Sequence, residues 1–160
     1  ATTIMNTHNP LLDSILSKKY EEAAKKGVTV YFDLCDLKDL PFDGTDMVIV
    51  LSNLLDNAVR AAADALPPEV YVRIRKDEYL LSVRNRVQEN LELTEDGQLP
   101  RSTKLEPGHG MGLLNVQEVL KRYGAEYTVS CRDKWFRFTC SLPIHPTGSS
   151  CHPDRQLVTN

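Results

Sequence analysis

Gly108-His-Gly-Met-Gly-Leu-Leu-Asn-Val116 leads into an amphipathic stretch, and how this segment is read decides the fold. Three glycines at alternate positions let backbone N–H groups come close to a ligand. The helix predicted from Leu113 to Tyr123, stopped by Gly124, aims the positive end of its dipole at that ligand. A phosphate suits such a place. A P-loop is excluded, because no Gly-Lys followed by Ser or Thr occurs. A dinucleotide fingerprint is excluded too, since the glycines follow a polar loop and not the first strand of a βαβ unit. The His-Arg-Asp and Asp-Phe-Gly elements of eukaryotic-type protein kinases are missing as well.

A second pattern lies upstream, Asn53-Leu-Leu-Asp-Asn57-Ala. It falls in a long apolar run, Met47 to Ala65, for which Asp46 is the expected N-cap and Pro67-Pro68 the stop. Asn53 and Asn57 are four apart, so their carboxamides project from one helix face. Asparagine is unfavourable in a helix interior, and two of them one turn apart call for a reason. Their side-chain oxygens are hard, neutral ligands suited to Mg²⁺, which binds few protein oxygens alongside phosphates and water.

Outward from these two segments, Leu11, Leu12, Ile15, Leu16, Tyr20, Ala23 and Ala24 recur at helical spacing, predicting a helix from Pro10 to Lys26 closed by Gly27. Val28 to Leu34, Glu69 to Arg75 and Tyr79 to Asn85 read as strands, and Ala125 to Cys131 with Trp135 to Leu142 as a hairpin. Arg86 to Pro107 is polar, without periodicity, and longer than an ordinary connection, so it reads as a lid. The resulting order, α-β-α-β-β-lid-α-β-β, implies an α+β chain: a two-layer sandwich with a mixed, mostly antiparallel sheet covered by helices on one face. The expected domain spans residues 9–143, and residues 144–160 read as a tail.

The 160 residues carry 19 basic and 22 acidic side chains, net −3, scattered without a basic stripe, which argues against nucleic acid as a partner. No apolar run approaches the ~20 residues of a membrane span, and the polar start lacks a basic signal region. The four cysteines form no disulfide framework and suggest a reducing, cytosolic setting. Cys140, His145, Cys151 and His152 match no compact zinc knuckle, so no metal is expected there.

Taken together, Asn53-x-x-x-Asn57-Ala resembles the N box, and Gly108-His-Gly-Met-Gly-Leu-Leu-Asn-Val the second glycine box, of the gyrase, Hsp90, histidine kinase and MutL group. The chain resembles in particular the catalytic ATP-binding domain of bacterial sensor histidine kinases, which has a Bergerat-type ATP-binding fold. The wording of Asn9 to Lys18, Asn53 to Ala62 and His109 to Val116 is most similar to the branch that responds to quorum-sensing peptides. The resemblance implies ATP and Mg²⁺ as cofactors. It assigns the metal to Asn57, with Asn53 assisting, and the phosphates to Gly108, His109, Gly110, Met111 and Gly112 with the N–H groups of Leu113 and Leu114. Lys104, and with it Arg101, would bring lid charge to the phosphates. Asn85 occupies the place of the family's adenine-binding aspartate, in Val83-Arg-Asn85-Arg-Val, where the usual Asp-x-Gly-x-Gly is absent. Its carboxamide oxygen still accepts from an exocyclic amine, without the charge that strengthens such a bond. Asp56, inside the N box, reads as a helix-surface charge or an orienter of metal-bound water.

The implied function is supply of the γ-phosphoryl for histidine autophosphorylation in a two-component kinase. Neither His8 nor His109 sits in a phosphoacceptor context, so the acceptor histidine is expected on a separate dimerisation module. A response regulator is the implied downstream partner. The portion in hand is expected to be monomeric and cytoplasmic, within a homodimeric, membrane-bound sensor. The alternatives are a serine kinase of the anti-sigma-factor type and a pseudo-kinase that keeps the fold for binding.

Overall fold

The computed structural model of the chain describes residues 5–90 and 109–142, with residues 109–111 described by backbone alone. Eight elements follow one another: α1 (Pro10–Lys25), β1 (Thr29–Leu34), α2 (Gly44–Ala62), β2 (Glu69–Arg75), β3 (Leu80–Arg86), α3 (His109–Arg122), β4 (Tyr127–Arg132) and β5 (Trp135–Ser141). The expected stretches 91–107 (most of the lid) and 144–160, with Gly108, lie outside the described residues.

Local chemistry sets most boundaries. Asn9 caps α1 by accepting from Leu12 N at 3.2 Å, and Pro10 stands in the first turn, where its missing N–H costs nothing. Gly27 takes φ +76° just past the helix, a conformation that a side chain would strain. The expected cap Asp46 is corrected to Asp43, whose carboxylate accepts from Thr45 N at 2.9 Å. Gly44 and Thr45 therefore join the helix, and Asp46 is released for contacts with α3. The β4–β5 hairpin turns through Asp133 and Lys134, both at positive φ, the geometry that matches the twist of paired strands.

The sheet order is β1-β2-β3-β5-β4. Only β1 and β2 run parallel (Thr29 opposite Glu69); the other three pairings are antiparallel. Alternation along the strands separates two faces. Val70, Val72, Ile74, Leu81, Val83, Phe138 and Cys140 point inward and are buried under Leu51, Leu55, Ala58 and Ala62 of α2 and Val116, Val119 and Leu120 of α3. The opposite face carries Tyr31, Tyr71, Arg84, Arg137 and Trp135, and among the described residues no helix lies on it. The fold is thus an open α+β sandwich of two layers, as the order of predicted elements implied. Among the described residues, no helix is long and apolar enough to cross a membrane.

Candidate functional site

The middle of α2 is apolar on the sheet side and carries both asparagines on another face, since Leu51, Leu54, Leu55 and Ala58 take the buried positions. Asn53 turns its nitrogen back to its own helix, Nδ2 donating to Ile49 O at 2.8 Å. Its oxygen is left facing α3. Asn57 Oδ1 accepts from Arg60 Nη1 at 3.2 Å, and Asn57 Nδ2 is buried without an acceptor among the described residues. A buried amide donor without a partner is unfavourable by ~1–3 kcal/mol, and a phosphate or water oxygen would satisfy it. Arg60 was missed in the sequence reading. Its signal was its position three residues after Asn57, which places a cation on the same face.

Two contacts fix how α3 lies on α2. At the start of α3, a Cβ built on Gly112 would stand 2.9 Å from Asn53 Oδ1, so only glycine allows this approach. At its far end, Tyr123 bonds to Asp43 N and Asp46, and Arg122 pairs with Asp46 at 2.9 Å, all at the beginning of α2. The two helices are therefore antiparallel. At a rise of ~1.5 Å per residue, the three residues before Gly112 carry α3 about 4.5 Å further along, toward the level of Asn57. The positive end of the α3 dipole thus opens where the orphan Asn57 amide lies.

The helix start differs from the expected Leu113. α3 begins at His109, and Gly110 and Gly112 lie inside it. Gly is unfavourable in a helix by ~1 kcal/mol, and at Gly112 it leaves the room that the Asn53 carboxamide occupies. The expected role of the Leu113 and Leu114 N–H groups changes accordingly. Those donors fall in the second turn and are used within the helix; the free ones belong to the first turn, His109 to Met111. Leu113 packs against the core, while Leu114 is 53% exposed.

Asn85 lies on the helix-facing side of β3, 3% exposed, and its Nδ2 donates to Arg86 O at 3.0 Å. It stands opposite Val70, close to the start of β2, and thus at the sheet end reached by the C-terminal half of α2. Asn53, Asn57, Asn85, Gly112 and the first turn of α3 share one end of the helix layer. Gly108, Arg101 and Lys104 lie outside the described residues, as do the side chains of His109 and Met111.

Asp56 is a charge on the helix surface, its side chain 45% exposed, and it is paired. It accepts from Lys19 Nζ of α1 at 2.8 Å, and Lys19 also meets Glu22 at 3.2 Å. Burial alone would lower the Lys19 pKa, but the bonds from Asp56 and Glu22 outweigh it and hold it above its ordinary value. This pair ties α1 to the N-box turn of α2. Cys140, named with the zinc residues, is buried on the inner face of β5, and its thiol is pushed up to about 12 by burial. His145, Cys151 and His152 lie outside the described residues.

An open two-layer sandwich, with an asparagine pair facing the first turn of a glycine-bearing helix, places the molecule in the architectural class of histidine-kinase catalytic domains. The solved catalytic domain of histidine kinase ThkA superposes with a TM-score of 0.66 at 22% identity, over 88% of this chain and 95% of that one. Full-length ShkA, solved in complex with AMPPNP, matches with a TM-score of 0.60 at 16% identity, over 92% of this chain and 32% of that one. The chain belongs to the GHKL domain family, whose model matches residues 42–143. Sensor protein PhoQ of Escherichia coli O157:H7 is 30% identical over 120 residues, 71% of this chain and 24% of that protein. The chain thus spans about a quarter of the length of the curated relatives it matches.

Proposed function

We propose that this chain is an ATP-binding catalytic domain of a sensor histidine kinase, and that it presents Mg²⁺-ATP for phosphoryl transfer to a histidine on a separate dimerisation module. The observation that carries the reading is the Gly112–Asn53 approach, which sets the first turn of α3 beside the asparagine face of α2 and its unpartnered Asn57 amide. Two carboxamide oxygens, free N–H groups at a helix start and the cation of Arg60 are a donor set that suits a metal-bound triphosphate. Asn57 would hold Mg²⁺ with Asn53 beside it, and the metal would neutralise phosphate charge. Gly108, His109, Gly110, Met111 and Gly112 would line the phosphates, and Lys104 would add lid charge. Asn85 would meet the adenine amine with its carboxamide oxygen. ShkA, solved with an ATP analogue on the same fold, supports the choice of ligand.

In this reading the phosphoryl goes on to a response regulator, and the domain works on the cytoplasmic side of a dimeric sensor of the peptide-responsive branch. A second reading is a nucleotide-binding module without transfer. It is favoured by Asn85, an uncharged residue whose nitrogen is already spent on the Arg86 carbonyl.

The test is a calorimetric titration with a non-hydrolysable ATP analogue, with and without Mg²⁺, on the wild type and Asn57→Ala. Binding that requires the metal and weakens at least about a hundredfold in the variant is the expected outcome, as for loss of a ligand and its oriented partners. A folded wild type that takes up no nucleotide overturns the reading. Transfer of labelled phosphate to a supplied histidine module then separates a kinase from the module without transfer, and transfer to a protein serine would indicate the anti-sigma-factor type.

A further inference from the structure

The sheet face that no helix covers among the described residues is polarised. Toward β1 and β2 its charges are matched: Arg73 pairs with Asp33 and Glu78, Arg75 with Asp33 and Asp77, and Tyr31 donates to Glu69. Over β3, β5 and β4 lie Arg84, Arg86, Arg137 and Arg132, and no carboxylate pairs with any of them among the described residues. This happens in a chain whose net charge is −3. Moreover, Arg84 and Arg137 are direct cross-strand partners, which sets two like charges opposite each other on an exposed surface. Such a pair is destabilising unless an anion lies between the two side chains.

The guanidinium groups are also held in place. Arg84 lies over the rings of Tyr71 at 4.5 Å and Trp135 at 4.9 Å, and Arg86 lies over Trp135 at 4.4 Å. Tyr31 stacks on Tyr71 at 4.7 Å, and Tyr71 meets Trp135 edge-on at 5.5 Å. Stacking fixes the plane of the Arg84 guanidinium and leaves N–H edges for a planar, bidentate acceptor, with little entropy left to lose on binding. Arg86 instead donates Nη1 to Asp133 O at 3.2 Å and its Nε is buried, so it adds positive charge and not a free edge. Beside Arg84 and Arg137, on the side toward β1 and β2, a depression of about 550 Å³ is lined by Tyr31, Asp33, Tyr71, Arg73, Arg84 and Arg137 among others. Its carboxylate, Asp33, is the one already matched by Arg73 and Arg75.

We infer that this half of the open face is a docking surface for an acidic protein segment, recognised through its carboxylates by Arg84, Arg137 and Arg132. Single-stranded nucleic acid is the less favoured occupant. Its bases need free aromatic faces, and here those of Tyr71 and Trp135 are already taken by guanidinium groups and by Tyr31. The inference does not depend on the nucleotide reading, since the surface lies on the opposite side of the sheet from α2 and α3.

Trp135 is the only tryptophan of the chain and reports directly on this surface. The experiment titrates the full chain with an oligoglutamate peptide, following Trp135 emission and calorimetric heat, with oligothymidylate as the comparison ligand. The expected result is saturable binding of the peptide, weaker as salt rises, and at least about tenfold weaker in Arg84→Gln/Arg137→Gln. Arg132→Gln/Arg137→Gln, which removes two exposed side chains without touching the stacked rings, guards against a folding defect and is expected to weaken binding as well. Arg137→Gln alone should melt no lower than wild type, because it relieves the repulsion with Arg84. Asn57→Ala is expected to bind the peptide like wild type. Absence of saturable binding, equal affinity in both double variants and the wild type, or tighter binding of oligothymidylate overturns the inference.

Discussion

At the scale of single residues, Gly112 carries more information than any other position. Its backbone approaches Asn53 so closely that an added Cβ would stand 2.9 Å from the carboxamide oxygen. Alanine at this place would gain about 1 kcal/mol of helix propensity while pushing Asn53 aside. Gly112→Ala is therefore expected to move the melting temperature by less than about 4 °C. The same variant should weaken Mg²⁺-nucleotide binding about tenfold or more, because a displaced ligand group loses its oriented position. Calorimetry and thermal unfolding on one preparation measure both, and an unchanged affinity would remove Gly112 from the site. The glycine pattern is visible in the sequence, but the close approach to Asn53 is not. Freedom to wrap a phosphate was expected; at Gly112 the structure shows room for a neighbouring side chain.

At the scale of elements, the α2–α3 pair is the frame of the site, and the Tyr123 hydroxyl, with the Arg122–Asp46 pair, fastens its far end. Tyr123 Oη accepts from Asp43 N at 2.8 Å and donates to Asp46 at 2.7 Å, while its ring meets Phe42 edge-on at 4.5 Å. Tyr123→Phe keeps the ring contact and leaves the Asp43 N–H without its partner. We expect a loss of about 1–2 kcal/mol in urea unfolding. Equal stability would mean that water replaces the hydroxyl and that apolar packing and the Arg122–Asp46 pair hold the frame. Element existence was legible from periodicity, because an apolar stripe on a helix and alternation on a strand are local patterns. The two misplaced helix starts, at Asp46 and Leu113, have a common cause. Polar and glycine residues can end a helix or be carried into it, and contacts with another element decide which.

At the scale of the whole molecule, burial against the helix layer changes the chemistry of the inner sheet face. The Cys140 thiol is pushed from 9.0 to about 12 by burial alone. Between these values the unfolded chain has released a proton that the folded chain retains, so stability falls as pH rises through that window and is unaffected by this group below it. Denaturant unfolding on either side of pH 9.0 should show this decline, and Cys140→Ala should show a shallower one. Identical slopes would place the alkaline loss on other groups. The fold class was readable from the order of elements, because helices that cover a mostly antiparallel sheet have few ways to pack. The asparagine pair and the glycine segment were readable as residue types at a fixed spacing.

What the sequence determined by itself was therefore local: the periodicities, the turn chemistry, Asn53 and Asn57 on one helix face, and the glycines before a helix. Only the tertiary structure decided that α2 and α3 run antiparallel, that Asn85 faces the helix layer, and that Asp56 pairs with Lys19 of α1. It also decided that Arg84 and Arg137, 53 positions apart in the chain, stand opposite each other on the sheet face away from α2 and α3. The physical reason is that patterns of burial and charge repeat over a few residues, whereas pairings between distant elements are chosen by the packing of the whole core.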